Sequence, residues 1–227
     1  MALVIIFLTL AKSNMLTEDA RPLLRNYQSF PAMIPGKPVS AILVDSYTRG
    51  LFIKTYYLKF RIVYAFKPSE TWILRTEKRF AADNLKNIGM SLFNRDENGR
   101  LTLLPTPPGF MYVGNSEYGY WSFIDSGARI WIFHTGYGHF YTDFAWGDYA
   151  PTDVDYEKAL QYQEVGKPFY GINNSFGFDG NVTQAGFSDY FDENRKNSMS
   201  FDFNGLFETL FSFKRKRPEP TQPRISP

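Results

Sequence analysis

The stretch Leu51 to Phe66 (LFIKTYYLKFRIVYAF) constrains the fold more than any other part of the chain. Its even positions hold Phe52, Tyr56, Leu58, Phe60, Ile62, Tyr64 and Phe66, broken only by Lys54. Thr55, Lys59 and Arg61 fall on odd positions. A period of two belongs to a strand with one dry face and one wetter face. Aromatic and β-branched side chains also suit a pleated, half-buried surface. The chain needs a sheet, and this strand needs neighbours.

Val39–Tyr47 supplies one neighbour across Arg49-Gly50, and Thr71–Lys78 supplies another. Phe80–Leu92 reads as a short helix, with Leu85, Ile88 and Leu92 close to helical spacing. Asn94–Gly99 (NRDENG) reads as a turn, because Asn98-Gly99 suits the positive φ angles of a tight hairpin. Asn94, Asp96 and Asn98 also begin a calcium-loop pattern, but its twelfth position is Pro105, where a bidentate Glu is required. The plain turn is the better reading. Leu104–Gly109 (LPTPPG) should break the chain between two sub-lobes.

Upstream, Thr17-Glu18-Asp19 followed by Pro22 looks like the first turn of a helix, and Phe30–Pro38 (FPAMIPGKP) reads as a linker. From Gly109 to Tyr149 glycine alternates with Tyr, Trp and Phe, and charges thin out. Short strands are expected at Phe110–Val113, Tyr120–Ile124, Arg129–His134 and His139–Ala145. Asp153–Val165 should be helical, capped by Thr152 or Asp153 and stopped by Gly166. Lys167–Phe187 reads as loops or a hairpin. Phe203, Leu206, Phe207, Leu210 and Phe211 lie on one face of a helix, and Lys214-Arg215-Lys216-Arg217 follows at its negative end. No internal repeat is evident.

The expected fold is α+β: mainly antiparallel sheet with an aromatic-rich core, a few short helices and a C-terminal amphipathic helix. Four segments follow. Residues 1–38 are an apolar start and linker, 39–104 a β-rich lobe, 105–199 an aromatic and glycine-rich lobe, and 200–227 the amphipathic helix with a basic, proline-rich tail. Aromatic residues form 18% of the chain, enough to build such a core.

Composition narrows the chemistry. There is no cysteine, so disulfides, Cys-ligated metal sites and thiol catalysis are excluded. With 25 basic and 23 acidic residues, the net charge of +2 does not argue for a nucleic-acid partner. No nucleophile elbow, phosphate-binding loop, dinucleotide fingerprint or His-Glu-x-x-His helix is present. The sequence leans away from an enzyme and implies no cofactor. The apolar run Ala2–Ala11 is too short to span a membrane, but its length suits a signal-peptide core that lacks a basic leader. A buried strand or short helix is the alternative. As a signal or anchor it would send the chain to the envelope, the exterior or a virion; otherwise the chain is cytoplasmic.

Three groups of residues are candidate sites. If Arg129–His134 and His139–Phe144 form a hairpin around Thr135–Gly138, His134 lies opposite His139. Both imidazoles could then meet one metal or ligand, with Asp143, Asp148 or Asp153 as a third donor; Asp143 is the one selected. The structural alternative is an ordinary pair at a loop base. Trp121, Trp131, Tyr137 and Trp146 could form platforms for sugar rings, with Asp125, Asp143 and Asp148 as hydroxyl partners. The same rings could instead meet a neighbouring subunit or build the chain's own core. Phe203, Leu206, Phe207, Leu210 and Phe211 with Lys214, Arg215, Lys216 and Arg217 could contact a partner or an anionic membrane surface.

The leading functional reading is a non-enzymatic structural component of a larger assembly, in a virion or a cell envelope, whose partners are other protein subunits in a homo- or hetero-oligomer. An extracytoplasmic glycan-binding module, or a glycan-active enzyme with aromatic platforms, is the alternative.

Overall fold

The computed structural model describes residues 21–50 and 53–192. Strand β2 (Val39–Arg49) pairs antiparallel with β3 (Thr55–Tyr64), Val39 opposite Tyr64 and Arg49 opposite Thr55. β4 (Glu70–Thr76) covers the other side of β3, with Leu58 opposite Leu74. β5 (Ser91–Arg95) runs antiparallel to β2, β6 (Leu101–Thr102) closes onto β5, and β1 (Leu23–Leu24) lies parallel to β4. The sheet order is β1-β4-β3-β2-β5-β6.

The alternation in β3 has the expected consequence. Leu58, Phe60 and Ile62 are fully buried, while Lys59 and Arg61 are half-buried. Opposite them, β2 skips register between Leu43 and Asp45, a bulge that bends the long pair. The Phe80–Leu92 segment is not one helix. It divides into α2 (Lys78–Asn84), a 3-10 turn at Leu85–Asn87, and β5, which takes Leu92 into the sheet. Gly89 forces this division: its φ is +83° and a side chain there would collide with Thr183.

Phe30–Pro38 is not a linker either. Helix α1 (Phe30–Met33) drives Phe30 into the core, stacked on Phe93 at 5.7 Å and edge-on to Phe60 at 5.5 Å. Prolines leave such a segment short of N–H donors and rich in open carbonyls. Arg95 answers with its planar fork, donating to the carbonyls of Ile34 at 2.8 Å, Gly36 at 2.9 Å and Pro31 at 2.9 Å.

Leu104–Gly109 likewise joins elements instead of parting them. Thr106 exchanges two backbone bonds with Ser91, at 2.9 and 3.1 Å, and Pro105, Pro107, Pro108 and Gly109 are buried. Beyond it, β7 (Gly119–Phe123) and β8 (Arg129–Phe133) form a separate two-stranded ribbon. Phe110–Val113 is a run of turns, and His139–Ala145 holds helix α3 (Phe140–Phe144), ended by Ala145 at φ 55°. Around them lies a second aromatic core of Tyr112, Tyr118, Trp131, Phe140, Phe144 and Trp146, each at most 2% exposed. Trp146 fixes this core to the proline segment by donating Nε1–H to the Pro108 carbonyl at 2.9 Å.

Helix α4 (Asp153–Glu164) starts as expected, with Thr152 and Asp155 forming a reciprocal capping box. Lys167–Phe187 contains a 3-10 turn at Ile172–Asn174 and the short helix α5 (Asn181–Gly186). The architecture is thus α+β, a mixed six-stranded sheet with a small ribbon, several short helices and an aromatic core.

The chain divides into a compact unit up to Ser188 and a second unit from Asp189 on. In the latter, the rings of Tyr190 and Phe191 meet edge to face at 5.1 Å. The expected helices at Thr17–Asp19 and Phe203–Phe211, the basic run Lys214–Arg217 and the Ala2–Ala11 segment lie outside the described residues. Among those described, no helix is long and apolar enough to cross a membrane.

Candidate functional site

β3 ends at Tyr64, so the turn Ala65–Ser69 leaves the sheet and carries Phe66 outward. This turn faces the 3-10 turn Thr135–Tyr137 and helix α3 across a recess of about 730 Å³. Phe66, Lys67, Ser69, Tyr137, His139 and Asp143 line it. Phe66 is 67% exposed and its ring lies edge-on to Tyr137 at 6.3 Å. Tyr137 is held from behind by Tyr118 at 5.1 Å and Phe140 at 5.5 Å.

The polar groups are ordered by their own contacts. Ser69 Oγ donates to Asp143 Oδ1 at 2.9 Å. His139 Nε2 stands 3.9 Å from Asp143 Oδ2, beyond hydrogen-bond reach. Arg61 donates to the carbonyls of Asp143 at 2.8 Å and Thr142 at 3.3 Å, satisfying the end of α3. Burial holds the Arg61 pKa below its ordinary value, against the opposing pull of Asp143. Lys67 caps the Tyr64 ring at 3.7 Å and pairs with Glu70. That bond raises the Lys67 pKa and, with a second bond from Trp72, lowers that of Glu70.

A hydroxyl, a carboxylate and an imidazole therefore meet here, but in the order Ser–Asp–His. In a Ser-His-Asp triad the imidazole takes the hydroxyl proton. In this recess the carboxylate accepts the Ser69 hydrogen bond, so the triad order is not present.

Tyr137, His139 and Asp143 come from two different expected sites and are brought together. The other candidates are not. The hairpin between Arg129–His134 and His139–Phe144 does not form, because β8 turns back onto β7 and the second segment coils into α3. His134 instead faces the Ser116 carbonyl, with Nε2 at 3.1 Å, and packs against Tyr120. The metal set His134, His139 and Asp143 is not assembled: among the described residues no group of three or more His, Cys, Asp or Glu is placed to hold a metal. Asp153 accepts from Arg129 at 2.8 Å. Trp131 and Trp146, at 1% and 2% exposure, are core residues with no face to offer a sugar. Trp121 is half-buried against Trp131 at 5.1 Å and Tyr156 at 6.0 Å. Phe66, Lys67 and Ser69 were missed. The strand alternation places Phe66 on the dry face, and no sequence motif marks Lys67 or Ser69.

The outer border of β7 is a second exposed feature. Bonds from Ile124 to Ala128 and from His134 to Tyr118 set the ribbon's alternation, so even-numbered β7 residues bond to β8. The N–H and C=O groups of Trp121 and Phe123 then point away, and they take no partner among the described residues. Tyr120, Phe123 and Ile124 are 51%, 75% and 41% exposed along this border. The matching border of β8 is covered, since Trp131 N–H donates to Pro151 at 2.8 Å.

The chain matches no protein-family model, curated protein or solved structure.

Proposed function

We propose that the chain is a non-enzymatic structural component of a larger assembly, in a virion or a cell envelope, and joins a neighbouring subunit through the open border of β7. The supporting observation is an aromatic strand edge whose backbone groups at Trp121 and Phe123 take no partner among the described residues. Soluble domains normally protect such an edge with Lys, Pro or a bulge, and β7 has none of these. An added strand would satisfy the open groups, while Tyr120 and Phe123 would supply apolar contact.

The charges at the two ends favour a different subunit over a second copy. Glu117 and Asp125 bracket β7, and both are exposed. Antiparallel self-pairing centred on Trp121 would set Glu117 against Asp125 of the other copy, twice. Like charges in opposition destabilise a pair. The partner strand is therefore one with basic ends.

The test uses two synthetic peptides with the same Thr/Val alternating centre, one flanked by Lys and one by Glu, followed by fluorescence polarisation. The Lys-flanked peptide should bind at least about tenfold tighter at low salt. Phe123→Pro removes an outward N–H while leaving the β7–β8 bonds, and should abolish binding. Equal affinity for both peptides, or binding unaffected by Phe123→Pro, would overturn the reading.

A further inference from the structure

We infer that the recess between Ala65–Ser69 and Gly136–Asp143 binds a neutral, polyhydroxylated ligand, a sugar ring or short glycan. This stands apart from the assembly reading, since it uses none of the β7 residues.

The class of ligand follows from the 3.9 Å gap between His139 Nε2 and Asp143 Oδ2. The gap is too long for a direct hydrogen bond, yet a single oxygen can sit about 2.8 Å from both atoms. That oxygen must donate to the carboxylate and accept from the imidazole N–H. A hydroxyl does both. With Nε2 carrying the imidazole proton, an ammonium group has nothing to accept with, a carboxylate oxygen has nothing to donate to Asp143, and a phosphate would set its negative charge against that carboxylate.

The neighbouring charges point the same way. Lys67 is paired with Glu70, and Arg61, whose Nη1 donates to the α3 carbonyls, is not part of the lining, so among the described residues no unpaired Lys or Arg lines the recess to meet an anion. Ser69 occupies Asp143 Oδ1 and leaves Oδ2 open. Beside this pair, Phe66 and Tyr137 present two rings inclined at 62°. An exposed phenylalanine has no polar tip to hydrate, whereas the C–H face of a pyranose can cover it. Apolar walls with one amphoteric polar point are what a sugar ring requires.

Binding should be measured by NMR titration with methyl β-D-glucopyranoside, maltotriose, chitotriose and inorganic phosphate. At least one sugar should shift the His139 ring and Asp143 amide signals, and phosphate should shift neither. A trisaccharide binding more tightly than the monosaccharide would assign a glycan chain; equal affinity would assign a single ring. Phe66→Ala removes an exposed ring and Asp143→Asn keeps its shape, so both should fold. Each should weaken binding at least about tenfold, equivalent to about 1.4 kcal/mol. No sugar response up to about 50 mM, a limit weaker than useful millimolar affinity, would overturn the inference. So would phosphate binding at His139, or sugar binding unaffected by both substitutions.

Discussion

Arg95 is the residue on which the N-terminal plug depends. Three carbonyls of a proline-rich segment converge on one guanidinium, and no ammonium group reproduces that fork. Arg95→Lys should cost about 1 kcal/mol, because the part-buried carbonyls of Ile34 and Pro31 would not both keep a donor; urea unfolding with an unchanged m value checks this. Trp146→Ala should cost more, about 3–5 kcal/mol, by opening a cavity and freeing the Pro108 carbonyl. At this scale the sequence was legible in kind and not in place. It marked Trp131 and Trp146 as important rings, but a buried indole and a sugar platform have the same letter. Only the surrounding packing separates Trp146, stacked on Phe133 at 5.4 Å, from the exposed Phe66.

Elements with strong local signals were readable. β2, β3, β4 and α4 stand where alternation and capping put them, and Thr152→Ala should lower stability by about 1 kcal/mol through loss of the box with Asp155. A thermal melt should register the loss, and Thr152→Ser should largely restore it. The short aromatic segments were ambiguous. His139–Ala145 carries Phe140 and Phe144 four apart, which fits a helix turn as well as a strand. β8 also had two turns competing to choose its partner. The turn at Asp125–Gly127 won, with Gly127 at φ +82° and bonds closing Ile124 to Ala128. That choice dissolved the expected imidazole pair and left β7 with an open border. The recess was illegible for a related reason. Its halves, Ala65–Ser69 and Gly136–Asp143, are joined only by tertiary packing.

For the whole molecule, the aromatic cores set a limit at high pH. Burial raises the pKa of Tyr112, Tyr118 and Tyr149, with Tyr112 further opposed by Tyr118, Tyr118 by Glu97 and Tyr149 by Asp155. An unfolded tyrosine ionises near 10.0, so above that pH the unfolded chain binds fewer protons than the native one. The tyrosine contribution should be constant up to about pH 10 and stability should fall steadily above it. Urea midpoints followed by absorbance at 295 nm should show tyrosinate appearing together with unfolding. A midpoint that stays constant well above pH 10 would show that these hydroxyls reach solvent in the native state.

The large sheet closes at both borders on strands of two residues, β1 and β6. β1 covers only Arg75 and Thr76 of β4, so the stretch Glu70–Leu74 takes no outer strand among the described residues. Growth from the described strands then has two places to start, β4 and β7, and a proline on the outward side of either should lower cross-β fibre formation in concentrated solution.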